Sequence, residues 1–386
     1  MNGLMWFSDF QLVLPDAVMP QASLRIENGV IAEIRDTPVA EAAVKGEGRF
    51  LLAGFIDMHG DMIERELEPR PNVPMPMELG LQDLDRKLSV CGITTAYAAL
   101  SFSPNSTYGH LRSYEHTSKV IRTLRAAKAG LLVDHKIHAR FEVTFPKALE
   151  VVQDLIAEGH VDLISLCDHT PGQGQYRDIE NLAQNLATAK GLPFDEAMSV
   201  IMQRIADKSQ PADVLAHTLK SISDSCRAHG VGLASHDDDS AAKVQVMKEL
   251  GADISEFPVT FEAAKAAKAQ GMLTVMGAPN ALRGKSYSGN LSAREAYEAG
   301  LLDILCADYH PSTFWPAILA LAPHRGLAAA ARLANVNAAK ALGLHDRGEI
   351  AVGKRADLVL ASDCGVGAIH QTWVAGRMVY SDGTIS

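Results

Sequence analysis

The residues of this chain that could do chemistry stand at the ends of apolar runs. His59-Gly60-Asp61 closes one run and Glu142 another, while Asp168-His169, His236 and Asp308 close three more. In an extended strand, residues i and i+2 leave on the same face, so His59 and Asp61 point together. Imidazoles and carboxylates converging on one place are the donor set of a divalent cation such as zinc, manganese, iron or nickel. Metal charge also relieves the mutual repulsion of the carboxylates. Each residue has a plainer use as well. His59 can bond to backbone, Asp61 can cap a helix, and Glu142 can pair with Arg140. Asp237-Asp238-Asp239, just after His236, are expected to cap or solvate a helix start. Glu256, in "SEFP", is a reserve ligand whose plain reading is a buried carboxylate bonded to barrel backbone. Taken together, the run ends predict a metal site, with two ions favoured over one and zinc favoured among the metals.

A second stretch, "GAPNALRGKSYSGN" from Gly277 to Asn290, ends like a phosphate-binding loop in Gly284-Lys285-Ser286. The full nucleotide-binding pattern needs a glycine five residues earlier, where Pro279 stands, and a helix directly after the lysine. The next helix is instead predicted to start at Ser292, with Glu295 completing a capping box. The stretch is therefore read as an anion-holding loop. Arg283 and Lys285 supply charge, and Asn280, Ser286 and Ser288 supply neutral donors. Arg70, after the first run, and Gln173 and Arg177, after the fourth, are further candidates for phosphate contact.

Composition narrows the partners. A formal net charge of −10 over 386 residues argues against a broad basic face for nucleic acid, so any phosphate must meet local cations or a metal. The five cysteines are scattered, with no CxxC pair, which suggests neither a disulfide framework nor a zinc knuckle. No run approaches membrane-spanning length and the N-terminus is not a signal segment. A cytoplasmic protein without a membrane partner is expected, with a homodimer as the default assembly.

The elements that must position these groups repeat one theme: an apolar run, a polar tip, then a helical pattern. Eight such runs are present, spanning 51–61, 92–100, 136–144, 161–170, 231–239, 252–260, 272–280 and 302–310. Eight strand–helix units predict an α/β fold, a distorted (β/α)8 TIM-type barrel whose site lies at the C-terminal strand ends. Such barrels often hold phosphate in the loops after strands seven and eight, which is where the Gly277–Asn290 stretch falls. Tyr176 to Gly230 is too long for one helix and is read as a helical insertion. Both chain ends are β-rich, and Asn28-Gly29 between two β-type runs predicts a hairpin. A small β-sandwich built from both termini, 1–52 and 346–386, is therefore expected beside a catalytic barrel of 53–345.

Two stretches resemble a known family. "LLAGFIDMHGD" resembles the opening of the amidohydrolase superfamily, a strand leading to a His-x-His metal pair, with Asp61 standing where the second histidine would be. "GEIAVGKRADLVL" resembles that superfamily's return into its C-terminal β-sandwich. "CDHTPGQGQY", "LASHDDD", "EFPVTFEAA", "GAPNALRGKSYSGN" and "LLDILCADYHP" narrow the resemblance to the PhnM family of the carbon–phosphorus lyase pathway. The resemblance implies removal of pyrophosphate from α-D-ribose 1-methylphosphonate 5-triphosphate, a phosphorylated sugar phosphonate, leaving the 5-phosphate. It also implies roles. His59 and Asp61 match the first metal pair, and Glu142 the carboxylate that can bridge two ions. His169 and His236 match the later histidine ligands. Asp308 matches the last-strand aspartate, a ligand that can also take the proton of the attacking water. The superfamily usually carries those histidines on strands five and six; the count here puts them on four and five. The competing expectations are another amidohydrolase reaction, cyclic amide hydrolysis or deamination, and a non-catalytic scaffold.

Overall fold

The computed structural model describes residues 4–103, 110–286 and 289–385. The N-terminal part forms β1 (Met5–Val13), β2 (Val18–Glu27), β3 (Val30–Arg35), the two-residue β4 (Val44–Lys45) and β5 (Phe50–Ala53). Asn28 and Gly29 both adopt left-handed backbone, φ 51° and 80°, as a two-residue hairpin turn with matching strand twist requires. Glu27 accordingly pairs with Val30 across the predicted hairpin. Gly29 answers a second demand, since a Cβ there would stand 2.8 Å from the Ala375 carbonyl oxygen.

The eight apolar runs become eight parallel strands. They are β6 (Phe55–Gly60), β7 (Ile93–Phe102), β8 (Asp134–Glu142), β9 (Leu163–Cys167), β10 (Gly232–His236), β11 (Ile254–Glu256), β12 (Leu273–Gly277) and β13 (Ile304–Cys306). Each pairs with its sequence neighbour, from β6 through to β13. The runs read as almost continuously apolar because both faces are covered: all ten residues of β7 are buried. Ile56, Met58, Tyr97, Leu163, Ile254, Val275 and Ile304 fill the interior. The ring closes at the mouth, where Gly60 bridges Asp308. The Asp308 amide donates to the His59 carbonyl at 2.9 Å, and the Asp61 amide donates to the Asp308 carbonyl at 3.0 Å. Counting strands from β6, His169 follows the fourth and His236 ends the fifth, as the sequence count had it.

The chain then forms β14 (Leu358–Ser362), β15 (Ala368–Val374) and β16 (Arg377–Ser381). These join the N-terminal strands in one sheet of order β16-β15-β14-β5-β1-β2-β3, with β4 paired to β1. The sheet is thus built from both ends of the chain and has its own core around Phe7, Phe10, Leu24, Leu51, Leu358 and Trp373. Between β9 and β10 lie the helices Ile179–Lys190, Phe194–Lys208 and Ala212–His229, the predicted insertion. Gly191 and Gly230 end two of them in left-handed backbone, as helix C-caps commonly do. Among the described residues no helix is long and apolar enough to cross a membrane.

One ionic contact ties the chain's return to the base of the barrel. Arg347 donates to Asp134 Oδ2 at 2.7 Å and to Thr95 Oγ1 at 3.0 Å, both near strand starts. Burial alone would push Asp134 upward, but Lys128 and Arg347 bonded to it hold its pKa down at about 2. The Arg347 side chain is only 9% exposed. Arg347→Met should destabilise the fold by about 2 kcal/mol at pH 7, the cost of losing one charged bond to Asp134 while Lys128 stays bonded to it. Because the folded-state pKa of Asp134 is depressed, the pair's contribution is complete above about pH 4 and is lost as pH falls further. Urea unfolding of both proteins across that range checks this; an equal difference at every pH would contradict it.

Candidate active site

The mouth of the barrel is organised by "HARFE", the end of β8. Ile137, Ala139 and Phe141 pack outward in the main core, so His138, Arg140 and Glu142 point inward by simple alternation. His138 donates from Nδ1 to the Met58 carbonyl at 3.0 Å. Ser165, on β9, bridges His138 Nε2 and the Glu256 carboxylate. Glu256, at the tip of β11, also accepts from His59 Nδ1 at 3.2 Å and lies 3.4 Å from His236 Nδ1. It is fully buried. Burial opposes its charge, but the imidazoles of His138 and His59 and the bonds donated to it hold it well below the usual carboxylate range. Burial pushes His138 down to about 3 and His236 down to about 4, so both rings are neutral at physiological pH. For His59 burial also opposes the charge, but Glu256 outweighs it and the shift is upward.

A second group lies nearer the opening. Potential ligand atoms of His169, His236 and Asp237 fall within 4.8 Å of one another, as do those of His59, His138 and Glu256. His169 donates from Nδ1 to Glu142 Oε2 at 2.6 Å, which leaves Nε2 as its lone-pair nitrogen. Glu142 also accepts from the His169 amide, from Thr144 and from Lys208 Nζ, each at 3.0 Å. Those bonds hold its pKa far down against the upward effect of burial. Asp237 Oδ2, 4.0 Å from His236 Nε2, is buried without a hydrogen-bond partner among the described residues. Buried polar atoms are rarely left so, and this one belongs to a donor set that suits a divalent cation. The group therefore fits a metal ion.

Asp61 and Asp308 complete the mouth. Asp61 faces Arg140, with Oδ2 3.5 Å from Nη1, and Arg140 Nη2 stands 3.2 Å from His236 Nε2. Burial first, then the nearby Asp61 charge, pushes Asp308 up to about 7. Beneath them Asp57 Oδ1 accepts from the amides of Ala307 and His59 at 2.9 and 3.1 Å, stitching the barrel seam. Gly60 is required there, because a Cβ would lie 2.5 Å from Asp57 Oδ2. The aspartates after His236 do not cap a helix. Ser240 is the N-cap, while Asp238 accepts from Ser235 and Ser255 and Asp239 from the Gly174 amide.

These groups floor a cavity of about 1200 Å³. His59, Asp61, His169, His236 and Asp308 all line it, and Glu142 stands behind His169. Its cations are Arg65, Arg112, Arg140, Arg204, Lys208 and Arg283. Arg112 is engaged by Glu64 through two bonds of 2.7 Å, and Lys208 by Glu142. Arg65, Arg204 and Arg283 have no side-chain ion-pair partner among the described residues. Arg204 and Lys208 come from the insertion helix Phe194–Lys208, one turn apart on one face. Sequence reasoning missed them, together with His138, Arg140 and Asp237.

The stretch after β12 is partly helical, with a short helix at Ala278–Arg283. Arg283 and Ser286 line the cavity, but Lys285 is exposed and does not. Asn280 also lines it, yet its amide is committed to the Leu291 carbonyl and the Ala293 amide, so it braces the wall. Ser288 lies outside the described residues. Arg70, Gln173 and Arg177 are not brought to the cavity; Arg177 donates to the Val259 carbonyl, while Gln175 and Tyr176 line the wall there. Ser292 does begin the next helix, but its hydroxyl donates to the Gly284 carbonyl and forms no capping box.

Comparison with known proteins agrees with this architecture. Residues 50–379 match the amidohydrolase family. The alpha-D-ribose 1-methylphosphonate 5-triphosphate diphosphatase of Escherichia coli (strain K12) is 35% identical over 391 residues, covering 97% of this chain and 100% of that protein. Adenine deaminase of Nitratidesulfovibrio vulgaris (strain DP4) is 43% identical over 56 residues only, 14% of this chain and 10% of that protein. Among solved structures, a prolidase complexed with N-methylphosphonate-L-proline superposes with a TM-score of 0.65 at 16% identity, covering 98% of this chain and 100% of its own. N-acetyl-D-glucosamine-6-phosphate deacetylase from Mycobacterium smegmatis does so at 0.64 and 16%, covering 97% and 100%. Likeness at such identity speaks to the fold.

The carboxylate behind His169 has a measurable consequence. Glu142→Gln keeps the shape but weakens the bonds to His169 and Lys208. Metal affinity, read by competition with a chromogenic chelator, should fall about 10- to 100-fold, the usual effect of loosening a ligand's orienting partner. Complete loss of metal would instead make Glu142 a direct ligand.

Proposed function

Because the chain belongs to the amidohydrolase family, we propose that it hydrolyses α-D-ribose 1-methylphosphonate 5-triphosphate, releasing pyrophosphate and leaving the 5-phosphate. One observation carries this beyond the relative's activity. A chain of net charge −10 gathers five arginines and a lysine around a single cavity floored by imidazoles and carboxylates. Cyclic amide hydrolysis and deamination do not call for such a lining; a triphosphate does.

His169, His236 and Asp237 would hold a divalent metal, zinc being the first to test, which when bound lowers the pKa of water and polarises a phosphoryl oxygen. The chain's own groups do the rest. Glu142 fixes the ring of His169 and so the direction of its free nitrogen. Asp308, raised to about 7, accepts the proton of the attacking water at its carboxylate near neutral pH. The water oxygen bonds to the α-phosphorus while the bond from that phosphorus to the bridging oxygen of pyrophosphate breaks, roughly in line. Arg204 and Arg283 neutralise the outer phosphates, and binding there positions the reacting phosphorus.

The decisive assay offers the purified protein the ribosyl triphosphate, then dihydropyrimidines, hydantoins and nucleobases. Pyrophosphate from the first alone is expected; release of orthophosphate one unit at a time, or turnover of a cyclic amide, would overturn the reading. Asp308→Asn should retain metal and lose about a hundredfold or more in kcat, because an amide cannot take the proton. Near-normal turnover with unchanged metal content would remove Asp308 from that role.

The rim can be tested separately by equilibrium binding at fixed salt. Arg204→Ala and Arg283→Ala should each weaken the triphosphate about tenfold and the 5-phosphate product less. Lys285→Ala, outside the cavity, should change neither. Equal losses for both ligands would move these arginines to the sugar end of the pocket.

A further inference from the structure

Three adjacent strands of the terminal sheet bring a serine, a histidine and an aspartate into one row. Ser362 ends β14, His370 lies within β15 and Asp382 follows β16. The position of His370 comes from a fault in the ladder. Leu360 pairs with Gln371, but the next residue, Ala361, pairs with Ile369, so His370 is the extra residue of a β-bulge. A bulge re-aims the side chain it carries and is over-represented next to active sites. Here the imidazole lies between two neighbours: Nε2 is 2.9 Å from Ser362 Oγ and Nδ1 is 2.7 Å from Asp382 Oδ2.

The contacts set the proton positions. Nδ1 carries the proton that it donates to Asp382, which leaves the Nε2 lone pair to accept from the Ser362 hydroxyl. Asp382 is itself fixed, since Oδ1 accepts from the Thr384 amide at 2.8 Å and from the Thr384 hydroxyl at 2.7 Å. Burial opposes its charge, but the Thr384 bonds and His370 hold its pKa below the ordinary carboxylate value. Thr384 Oγ1 also stands 3.1 Å from His370 Nδ1 and helps to fix the ring. A clasp for the chain end would need only His370 and Asp382, which are already joined by the Asp382 amide donating to the His370 carbonyl at 3.0 Å. The serine on the third strand turns that clasp into a nucleophile with its base.

The row is open to solvent without being loose. The side chains of His370 and Asp382 are 12% and 24% exposed, and Ser362 is half-buried. The Asp363 amide, directly after Ser362, donates no hydrogen bond among the described residues. The amide after a nucleophilic serine is a common donor to the oxyanion of acyl transfer. Asp363 and Asp382 on either side disfavour an anionic ester.

We propose that Ser362, His370 and Asp382 form a second hydrolytic site, acting on short, uncharged carboxylic esters. Ser362 Oγ adds to the ester carbonyl carbon as its proton passes to His370 Nε2. The alcohol leaves with that proton, and the acyl group stays on Ser362. Water then adds to the acyl carbon and gives a proton to Nε2; Ser362 leaves and regains its hydrogen, so ester and water become acid and alcohol. The site shares no residue with the barrel cavity and does not rest on the diphosphatase reading.

Its test is covalent labelling. The protein is first treated with a chelator, so that no metal at the mouth takes part, and then with a fluorophosphonate, which phosphonylates activated serines. Peptide mass spectrometry should place the adduct on Ser362. His370→Gln should slow labelling about a hundredfold or more, as loss of a general base does, and Asp382→Asn should slow it at least about tenfold. Hydrolysis of 4-nitrophenyl acetate by the chelated protein should follow the same order and fall, in Ser362→Ala, to the level of the heat-unfolded chain. No adduct on Ser362, or labelling of His370→Gln as fast as wild type, would overturn the proposal, and so would ester hydrolysis unchanged in Ser362→Ala. Should His370→Gln fail to fold, Ser362→Ala, which removes a single oxygen atom, decides alone through the ester assay.

Discussion

One buried carboxylate sets the geometry of the mouth. Glu256 has no exposed surface, yet it is held ionised. An isolated charge at that depth would be prohibitive, so donors must surround it. They come from all around the ring: His59 from β6, Ser165 from β9, with His138 of β8 and His236 of β10 alongside. Satisfying one charge therefore fixes the rotation of several rings. His59 and His236 lie nearly parallel, 5° between planes and 5.5 Å apart. Both of these rings line the cavity, while His138, bonded at both nitrogens, does not.

Outside that ring of donors the mouth uses charge in graded fashion. Arg140 is buried and coupled to Asp61 and His236, Lys208 is half withdrawn onto Glu142, and Arg204 and Arg283 stand open at the rim. An incoming polyanion meets the loosely held cations first and the constrained ones last. Flexible, hydrated side chains suit capture, whereas a pre-set guanidinium suits the oxygens whose charge changes during reaction.

The barrel was legible because its strands are long apolar runs bounded by polar tips, and the hairpin because two residues must take left-handed backbone. The site was legible where a residue stood at a run's end, as with His59, His169 and Asp308. His138 and Arg140 were hidden only in part, since "HARFE" alternates polar and apolar and period two places them beside Glu142. Glu256 could not be assigned from its own surroundings in sequence. Its donors lie 91 and 197 residues away, and a three-residue strand carries no pattern that reports them. Arg204 and Lys208 were invisible for another reason: an amphipathic helix declares a buried face but not the loop it will cover. Arg70 and Arg177 show the converse, since a cation in a loop after the right strand need not turn towards the cavity.

The seam of the barrel has a bearing on motion. The amides and carbonyls that close β13 onto β6 belong to His59, Asp61 and Asp308, and Asp57 stitches them from below. The floor of the pocket therefore cannot breathe without unzipping the ring itself. Whatever opens to admit a ligand or let it depart must belong to the rim, to the insertion helices and the segment after β12, which can shift without breaking a strand pair. The molecule separates a stiff anvil from a pliant collar, and the two can change at different tempos: the anvil under the constraint of ring closure, the collar free to be lengthened, trimmed or recharged.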